Sequence, residues 1–364
     1  LKTDPLLKTT QLFYDDAGRL DYVIDRNNNM IDYSYTPTSK VDTITYPDAS
    51  TVGFTYNQHD DLTRMQDALG STDYTYDAAH RLISQTDANG FAVGYGYDEA
   101  GNVKEITYPG NKKVIYTYDE LNRLKTVTID WLNPKPVATY YYDDAGRLDY
   151  VVNFNGTVTD YSYDNANRLT SLDNKKLDMS ILASYSFILD ANGNRIQTVQ
   201  NEPLMLTPNT DTVTYTYNAT KNRLLTANTT SFSYDDEGQL WWSTDSYMFD
   251  EAHRLTYISD GSYYAEFSYD GADNRLRANR DWIETRYIYD AGGNLLAEAD
   301  DSRGTFYYIH GLGLMAMVTS ANEVYTYHFN AVGSTIAVTD SSQAMVNKYS
   351  YDQKEAGSGL VSCI

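Results

Sequence analysis

The chain has 364 residues and a formal net charge of −22, which argues against a nucleic-acid backbone or an anionic membrane as its partner. Its single cysteine cannot form an internal disulfide, and no run of about 18 apolar residues predicts a membrane span. Tyrosine occurs 36 times, and its large ring with a polar tip suits thin sheets that face water on one side.

Residues 1–12 form a predicted lead-in segment, and a repeat array begins at Phe13. The first repeat carries the letters YDDAGRL at Tyr14–Leu20, and the same letters return at Tyr142–Leu148. From Tyr14 the repeated aromatic position recurs after 21, 21, 20, 21 and 21 residues, a fixed period that indicates a repeat architecture. Close copies of the motif start at Tyr76, Tyr97, Tyr118 and Tyr163, and looser copies start at Tyr234, Phe249, Tyr269 and Tyr289.

Each period alternates a strand pattern with a turn pattern. In the letters DYSYT, Tyr33 and Tyr35 lie on one face of a predicted strand and the polar residues lie on the other. A second strand follows the Arg–Leu pair of each motif, and Asn–Gly pairs such as the one within Asp87–Phe91 supply the positive φ angles of tight turns. Each repeat is therefore predicted to be a β-hairpin in an all-β antiparallel sheet with almost no helix.

The array is predicted to span residues 13–307, but its period loosens in the middle. Pro134 and Pro136 are expected to lengthen one connection, and residues 173–212 read as longer loops with one degenerate repeat. No stretch is rich enough in Pro, Gly or Ser to predict a linker between domains.

Residues 308–352 differ from the array and define a closing segment. It contains one closely spaced set: His328, Asn330, Gly333, Ser334 and Thr335. The Tyr–Asp units resemble the YD or RHS repeats of bacterial RHS proteins, Tc-toxin C-type proteins and animal teneurins. The closing segment resembles the RHS-associated core, whose members commonly carry His-x-Asp-x-x-Gly-Ser-Thr. This chain has Asn where that Asp is usual, and the resemblance extends from Tyr14 to Asp352.

The resemblance implies a spiralling antiparallel sheet of YD-repeat hairpins that forms part or all of a hollow β-shell. In this family the core continues through an Asp-Pro-x-Gly element into a plug, where an aspartyl-protease-like centre releases a variable C-terminal domain. Here Asp352 is followed by Gln353 instead of proline. We therefore expect the plug, the self-cleavage region and the variable domain to be absent, with a non-repeat tail at residues 353–364.

The repeat residues are interpreted as structural. The Asp after each Tyr can bond the turn amides, tyrosine pairs across strands can contribute about 0.2–1 kcal/mol each, and the Arg can reach an Asp of the next unit. Paired catalytic carboxylates are the alternative, but a pair that recurs with every repeat is more typical of a scaffold. No catalytic residue is predicted, and the structural repeat motif consists of Tyr14, Asp15, Gly18, Arg19, Tyr76, Asp77, Arg81, Tyr97, Asp98, Gly101, Tyr118, Asp119, Arg123, Tyr142, Asp143, Gly146, Arg147, Tyr163, Asp164 and Arg168.

No residue is predicted to hold a metal or a cofactor. The letters DANGN at Asp190–Asn194 place oxygen ligands as in a calcium loop, but the early Gly and the missing distal Glu favour a hairpin turn. The five histidines lack zinc-binding spacing, and His80 and His253 occupy a turn position of the repeat. The sequence has no phosphate loop, dinucleotide fingerprint or nucleophile elbow.

Size limits what the chain can enclose. About fourteen hairpins give about 28 strands, and a strand spacing of roughly 4.8 Å predicts a sheet edge on the order of 130 Å. One closed turn of that length is a ring about 40 Å across, whereas a toxin domain of about 150 residues is itself about 38 Å across. The chain is therefore expected to be part of a longer shell or an open spiral.

The predicted function is a non-enzymatic scaffold of a secreted bacterial RHS/YD-repeat protein, similar to the shell that encapsulates a C-terminal toxin. The expected partners are its own cargo domain or additional shell segments, without nucleic acid or a membrane span. The alternative is an extracellular or cell-surface interaction protein: an adhesin, a glycan-binding module or a self-assembling fibre. Aromatic faces that stack on sugars and open sheet edges that can pair with other chains favour this alternative.

Overall fold

The structure is a computed structural model of the chain, and it describes residues 1–132, 135–204, 212–220 and 223–351 with the backbone of Ser362 and Cys363. Every regular secondary-structure element within these residues is a β-strand, and there are 36 such strands. No helix in this part of the chain offers the length and apolar character needed to cross a bilayer. The all-β prediction is confirmed.

The hairpin register repeats from one motif to the next. In the first motif, Phe13 pairs with Tyr22 and Tyr14 pairs with Leu20, with a β-bulge between Phe13 and Tyr14. A bulge turns the strand locally and adds twist, so the Tyr of each motif closes its strand and the aliphatic residue six positions later opens the next. The same pairing and bulge join Tyr56 to Leu62, Tyr76 to Leu82, Tyr118 to Leu124, Tyr142 to Leu148 and Tyr163 to Leu169.

Two compact units make up the chain, and the first comprises residues 1–92, 209–293 and 299–302. Its apolar core includes Val52 and Met65 from the earlier segment and Leu276, Ala278 and Ile288 from the later one. Its strands are β1 (Lys2–Thr3), β2 (Thr9–Tyr14), β3 (Leu20–Ile24), β4 (Met30–Tyr35), β5 (Val41–Thr45), β6 (Thr51–Tyr56), β7 (Leu62–Asp67), β8 (Gly70–Tyr76), β9 (Leu82–Thr86), then β20 (Tyr215–Tyr217), β21 (Leu224–Ala227), β22 (Thr230–Ser231), β23 (Ser233–Tyr234), β24 (Leu240–Trp242), β25 (Ser246–Phe249), β26 (Leu255–Ser259), β27 (Tyr264–Tyr269), β28 (Arg275–Arg280) and β29 (Ile283–Tyr289).

The second unit comprises residues 93–208, 294–298 and 303–364. Its core includes Val127 and Ile129 from the earlier segment, which are fully buried together with Ile309, Val318 and Ile336 from the later one. Its strands are β10 (Ala92–Tyr97), β11 (Val103–Tyr108), β12 (Lys112–Tyr118), β13 (Leu124–Ile129), β14 (Lys135–Tyr142), β15 (Leu148–Asn153), β16 (Val158–Tyr163), β17 (Leu169–Lys175), β18 (Ile181–Leu189), β19 (Arg195–Asn201), then β30 (Leu295–Asp300, whose end belongs to the first unit), β31 (Gly304–His310), β32 (Leu314–Val318), β33 (Val324–Phe329), β34 (Thr335–Thr339), β35 (Met345–Ser350) and β36 (Ser362–Cys363).

The prediction of longer loops at residues 173–212 is wrong for most of the described length, whereas the one degenerate repeat expected there forms a hairpin around Asp190–Asn194. Strand β18 is the longest of the described strands at nine residues, and it pairs with β17 and β19 on its two sides. It forms because Leu182, Ala183, Tyr185 and Phe187 are all buried, so the segment supplies core that its loose match to the repeat motif did not indicate. Pro136 lies within β14, whereas Pro134 lies outside the described residues.

We predict that replacing Gly146 by Val destabilises the fold by about 1–3 kcal/mol, because a β-branched residue strains at the +79° φ angle of this turn position. Gly146→Asn is the matched control, since Asn122 and Asn167 hold the equivalent turn position with φ of 58° and 62°. Ala145→Ser, at the exposed neighbouring position, serves as a second control. Thermal unfolding of the three variants checks the prediction, and equal melting temperatures would show that the turn register is different.

Candidate functional site

The repeated motif folds as one five-residue turn, here called the YD turn, which begins at the Asp that follows the motif aromatic. At Asp119, the Oδ1 atom accepts hydrogen bonds from the backbone N–H groups of Leu121 and Arg123, each at 2.9 Å. Asn122, between them, takes a positive φ of 58°. Polar backbone groups of a turn need partners, and one carboxylate oxygen supplies them for two amides.

The second carboxylate oxygen binds the arginine that ends the turn. Oδ2 of Asp119 lies 2.7 Å from both Nε and Nη2 of Arg123, a two-point ion pair within one turn. These bonds hold the pKa of Asp119 below its ordinary value, with the Arg123 side chain as the largest cause. The same pair forms in the turns Asp15–Arg19, Asp77–Arg81, Asp143–Arg147, Asp164–Arg168 and Asp250–Arg254.

The arginine also connects each repeat to the next through an aromatic ring. The guanidinium of Arg123 stacks 4.3 Å from the ring centroid of Tyr142, and the Tyr142 hydroxyl donates to the Leu124 carbonyl at 2.8 Å. The tyrosine is thereby fixed at both its face and its tip. The same hydroxyl-to-carbonyl bond, at 2.6–2.9 Å, joins Tyr35 to Leu20, Tyr56 to Val41, Tyr76 to Leu62, Tyr118 to Val103, Tyr163 to Leu148 and Tyr269 to Leu255.

The expected ladder, in which each Arg pairs with an Asp of the next unit, is wrong as a general rule. The ion pair closes within the turn, and the contact with the next turn goes instead to a carbonyl or an amide oxygen, as when Arg147 donates to the Asn167 side chain at 2.8 Å. Arg254 does reach the next turn, where Asp273 lies at 2.9 Å, but that carboxylate is mostly exposed. An exposed pair of this kind contributes little free energy of folding.

The remaining motif residues follow the same plan with local exceptions. Gly18, Gly101 and Gly146 occupy the positive-φ position, as His80 does at 60°. In the turn that starts at Asp98, Asn102 replaces the arginine and donates to Asp98 at 3.0 Å. The residues of the structural repeat motif are therefore distributed along the array, one set to a turn, and they do not converge on a common cleft.

The closing segment forms a turn of the same design. Asn330 accepts hydrogen bonds from the backbone N–H groups of Val332 and Ser334 at 3.1 and 2.9 Å, and Gly333 has a φ of +84°. Asn330 thus does what Asp119 does, so the departure from the usual Asp preserves the turn. Thr335 begins β34, and its carbonyl accepts the Tyr351 hydroxyl at 2.8 Å. Asp352, the last residue assigned to this motif, lies outside the described residues.

His328 is enclosed directly before that turn. It is 1% exposed, and its Nε2 atom lies 2.8 Å from the Thr339 hydroxyl. Burial lowers the pKa of His328 to about 4, so the ring is neutral at physiological pH. The turn at Asp190–Asn194 is also a hairpin turn, as predicted, because Asp190 accepts the backbone N–H groups of Asn192 and Asn194.

Within the first unit, polar contacts join the earlier segment, residues 1–92, to the later one, residues 209–293; we call this line of contacts the seam. At one point Asn27 accepts a hydrogen bond from the Glu237 backbone and donates to Asp235 at 3.0 Å. Arg26 donates from its backbone to the Glu237 carboxylate and from its guanidinium to the Glu237 carbonyl. The two segments therefore meet through turn residues of distant repeats.

The first-unit seam continues around Gly271. Its backbone N–H donates to the Asp67 carboxylate at 2.8 Å, and a side chain at this position would collide with Val52 and Met65. Asn89 lies further along, where it accepts from the Arg277 guanidinium at 2.7 Å. A glycine is needed here because the two segments approach each other closely at this point.

The second unit has a seam of its own, between residues 93–208 and 303–364. The Tyr108 hydroxyl donates to the Tyr308 carbonyl at 3.0 Å. Asn155 donates to both the Thr339 hydroxyl and the Asp340 carbonyl at 2.8 Å. Asn174, which is fully buried, donates to the Phe329 carbonyl next to the closing-segment turn. These side chains form hydrogen bonds with backbone carbonyl groups that would otherwise be buried without a partner.

One buried carboxyl pair stands out in the first-unit seam. Asp87 is 8% exposed; its Oδ1 accepts two turn amides, whereas its Oδ2 is buried without a hydrogen-bond partner among the described residues. Burial, with a smaller contribution from the charge of Asp270, raises the pKa of Asp87 to about 6. Burial also raises the pKa of Asp270. A cavity of about 300 Å³ adjoins both carboxyls, with Thr72 and Tyr74 in its lining.

Sequence reasoning missed the seams entirely. The repeat period identifies the YD turns because their residues recur in nearly every repeat. The seam residues recur only in some repeats, where Asn27, Asn89 and Asn155 are each the third residue of an equivalent turn. The partners of the seam asparagines lie 155 to 210 residues away in the chain, from Asn174 with Phe329 to Asn27 with Glu237. The local sequence does not indicate which distant segment such a turn contacts.

Comparison with known proteins agrees with the turn and the fold. The RHS Repeat family model matches residues 56–92, 76–113 and 97–132. The chain is 32% identical over 310 residues to the tRNA3(Ser)-specific nuclease WapA of Bacillus spizizenii, a match that covers 82% of this chain. It is likewise 32% identical over 310 residues to the tRNA nuclease WapA of Bacillus subtilis strain 168. The chain spans only 12% of the length of each of these relatives.

Among solved structures, the chain resembles TcdB2-TccC3 complexes. The TcdB2-TccC3-Cdc42 structure matches with a TM-score of 0.69 and 13% identity, and the structure without the hypervariable C-terminal region matches with a TM-score of 0.68 and 11% identity. Each match covers 94% of this chain and 24% of the solved chain. Such a likeness establishes the fold class, a spiralling antiparallel sheet of YD-repeat hairpins.

The turn, the hairpin register and the fold define an array of repeated hairpins. Residues 56–132 of this array match the RHS Repeat family, as the Tyr–Asp motif predicted.

We predict that Asp119→Asn is tolerated and that Asp119→Ala lowers the melting temperature by about 3 °C. Asparagine keeps the oxygen that accepts the two turn amides, as Asn330 does, and loses only the partly exposed ion pair. Alanine removes every one of these bonds. Thermal unfolding compares the two variants, and equal losses would show that the charge, rather than the amide-accepting oxygen, sustains the turn.

We predict that Asp87→Asn stabilises the chain near pH 8 but has little effect near pH 3.5. The pKa of Asp87 in the folded chain lies above its ordinary value of 3.8, so its contribution to stability is complete below about pH 4 and is lost as pH rises through about 6. The loss is on the order of 3 kcal/mol for a rise from 3.8 to about 6, and the variant does not incur it.

Unfolding in denaturant at the two pH values measures this effect, with Asp119→Asn as the matched control. The pKa of Asp119 is lowered by folding, so its contribution is present above the ordinary pKa and is lost in acid. The control variant should therefore lose a little stability at the higher pH. A gain for Asp87→Asn of the same size at both pH values would contradict the assignment.

Proposed function

We propose that this chain is a non-enzymatic section of the wall of a shell that encapsulates a toxic C-terminal domain, within a longer secreted bacterial RHS protein. The observation that carries the proposal is the fold likeness to TcdB2-TccC3 over 94% of the chain, at TM-scores of 0.67 to 0.69. One of those structures was solved without a hypervariable C-terminal region, so this fold occurs beside a variable terminal segment.

The curated relatives also favour a scaffold role for this segment and an enzymatic role for other segments of the protein. They bear the names of tRNA nucleases, and the segment shared with this chain is 12% of their length. We assign nuclease activity to other parts of such proteins, because a net charge of −22 repels an RNA backbone. The carboxylates of the YD turns are also committed to turn amides and arginines, which leaves them in poor positions for acid–base chemistry.

The proposed partners are a cargo domain and further shell segments. One turn of a sheet this long is only about as wide as a toxin domain of about 150 residues, so the wall needs additional repeats to leave room inside. A share of 24% of the solved TcdB2-TccC3 chain agrees with a section of a larger wall. A toxin carrier of this type acts outside the producing cell, so we place the protein in the secreted or cell-surface compartment.

A specific observation favours a second candidate, an extracellular interaction protein. Trp282 sits at the tip between β28 and β29 and is 85% exposed, with its ring 5.3 Å from that of Tyr264. A large aromatic side chain so exposed is typical of surfaces that bind sugars or other proteins. In this candidate the chain presents aromatic tips as an adhesin, or joins sheet edges into a fibre.

Electron microscopy and an activity assay on the purified chain test the proposal together. We expect discrete particles with curved walls and no cleavage of tRNA above the buffer background. Long filaments would favour the fibre, and their loss in Trp282→Ser would locate the contact at the exposed tip. Cleavage of tRNA that persists through purification and is removed by one substitution in the chain would overturn the non-enzymatic assignment.

A further inference from the structure

Three residues with metal-binding side chains meet in the first-unit seam, although they are far apart in the sequence. Asp25 begins the turn after β3, Glu237 lies in the YD turn that starts at Asp235, and His253 lies in the YD turn that starts at Asp250. Their ligand atoms, one from each residue, all lie within 4.8 Å of one another. Separations of 212 and 16 residues explain why the spacing of histidines in the sequence did not indicate a site.

The buried carboxylate of Asp25 has one oxygen without a hydrogen-bond partner among the described residues. Asp25 is 5% exposed, and its Oδ1 accepts a hydrogen bond from the Asn29 backbone N–H at 2.7 Å. Its Oδ2 is buried and accepts no hydrogen bond from any described residue. A buried carboxylate oxygen without a partner is costly, so this atom points to a positive group that completes it.

The neighbouring imidazole is placed as a metal ligand rather than as a good hydrogen-bond donor. Nε2 of His253 lies 3.4 Å from Oδ2 of Asp25, which is longer than the usual range of about 2.7–3.2 Å for such a bond. Two ligands of a tetrahedral zinc ion with bonds of about 2.05 Å are about 3.3 Å apart, and the observed separation matches that edge.

Backbone hydrogen bonds fix the two YD turns around this point. The His253 backbone N–H donates to the Asp250 carbonyl at 2.9 Å, and the Glu237 backbone N–H donates to Asn27 at 3.2 Å. The Glu237 carboxylate already accepts the Arg26 backbone N–H, and the Arg26 guanidinium lies 3.8 Å from its other oxygen. One imidazole and two carboxylates suit zinc better than magnesium or calcium, which prefer oxygen ligands alone.

We propose that Asp25, Glu237 and His253 bind one zinc ion, with water in the remaining position. Two carboxylates and a neutral imidazole balance the double charge of the ion. The bound ion would tie the first hairpins of the chain to two YD turns of the later segment of the same unit, and it would stabilise the seam by binding the folded chain.

Binding of Zn²⁺ to the full chain, stripped of metal with a chelator, tests the proposal. We expect one ion per chain by calorimetry and mass spectrometry, and a melting temperature raised by about 3 °C at saturating zinc. Co²⁺ should show the visible absorption of a tetrahedral nitrogen–oxygen site. A chain that binds no zinc would overturn the proposal and leave the contact as an ion pair between a protonated imidazole and a carboxylate.

Three variants separate this site from surface histidines. His253→Asn should weaken zinc binding at least about tenfold while the turn survives, because Asn122 and Asn167 hold the same positive-φ position elsewhere. Asp25→Asn should do the same while retaining the oxygen that accepts the Asn29 amide. His80→Asn is the matched control, because His80 holds the equivalent turn position and pairs with Asp61 outside the site. Loss of binding in His80→Asn with retention in the other two variants would move zinc to the surface and refute the assignment.

Discussion

The structure depends on one constraint: a chain that reverses direction every few residues must satisfy the backbone amides of every turn. The YD turn meets it with a single side-chain oxygen, which in Asp119 accepts the N–H groups of Leu121 and Arg123. The turn also needs a residue at positive φ, and Gly, Asn and His all serve there. From repeat to repeat, a hydrogen-bond acceptor and a backbone conformation therefore recur more strictly than any one residue type.

Coupling between repeats comes from a different part of the motif. Arg123 binds its own turn and stacks on Tyr142 of the next repeat, while the Tyr142 hydroxyl returns to the Leu124 carbonyl. These three contacts fix the register of one hairpin relative to its neighbour, since a slip of one residue would move the tyrosine ring to the opposite face of the sheet. Where Asn replaces Arg, as at Asn102, the turn remains and the stacking contact is given up.

The parts of the fold that could be predicted are those that recur. The period located the YD turns and hairpins, and the turn positions of His80 and His253 followed from it. The direction of the Arg contact could not be predicted, because the spacing from Arg19 to its own Asp15 and to the next turn permits either pairing. Strand β18 was missed because its burial depends on partners elsewhere in the unit. The seams, and the convergence of Asp25 with His253, depend on how distant repeats meet, which no local pattern encodes.

The strong acidity of the chain follows from the turn chemistry rather than from a partner. A carboxylate accepts two turn amides effectively, so nearly every repeat carries one. The compensating arginine is optional and is replaced by asparagine in several turns, for example by Asn102, Asn194 and Asn274. Negative charge therefore accumulates with the number of repeats. Within the seams the same preference brings Asp87 close to Asp270, and places Asp25 close to Glu237. On the surface, the carboxylates of these turns order the chain by accepting turn amides. Where two segments meet, the buried carboxylates must be neutralised, which a raised pKa does at Asp87 and the proposed cation would do at Asp25.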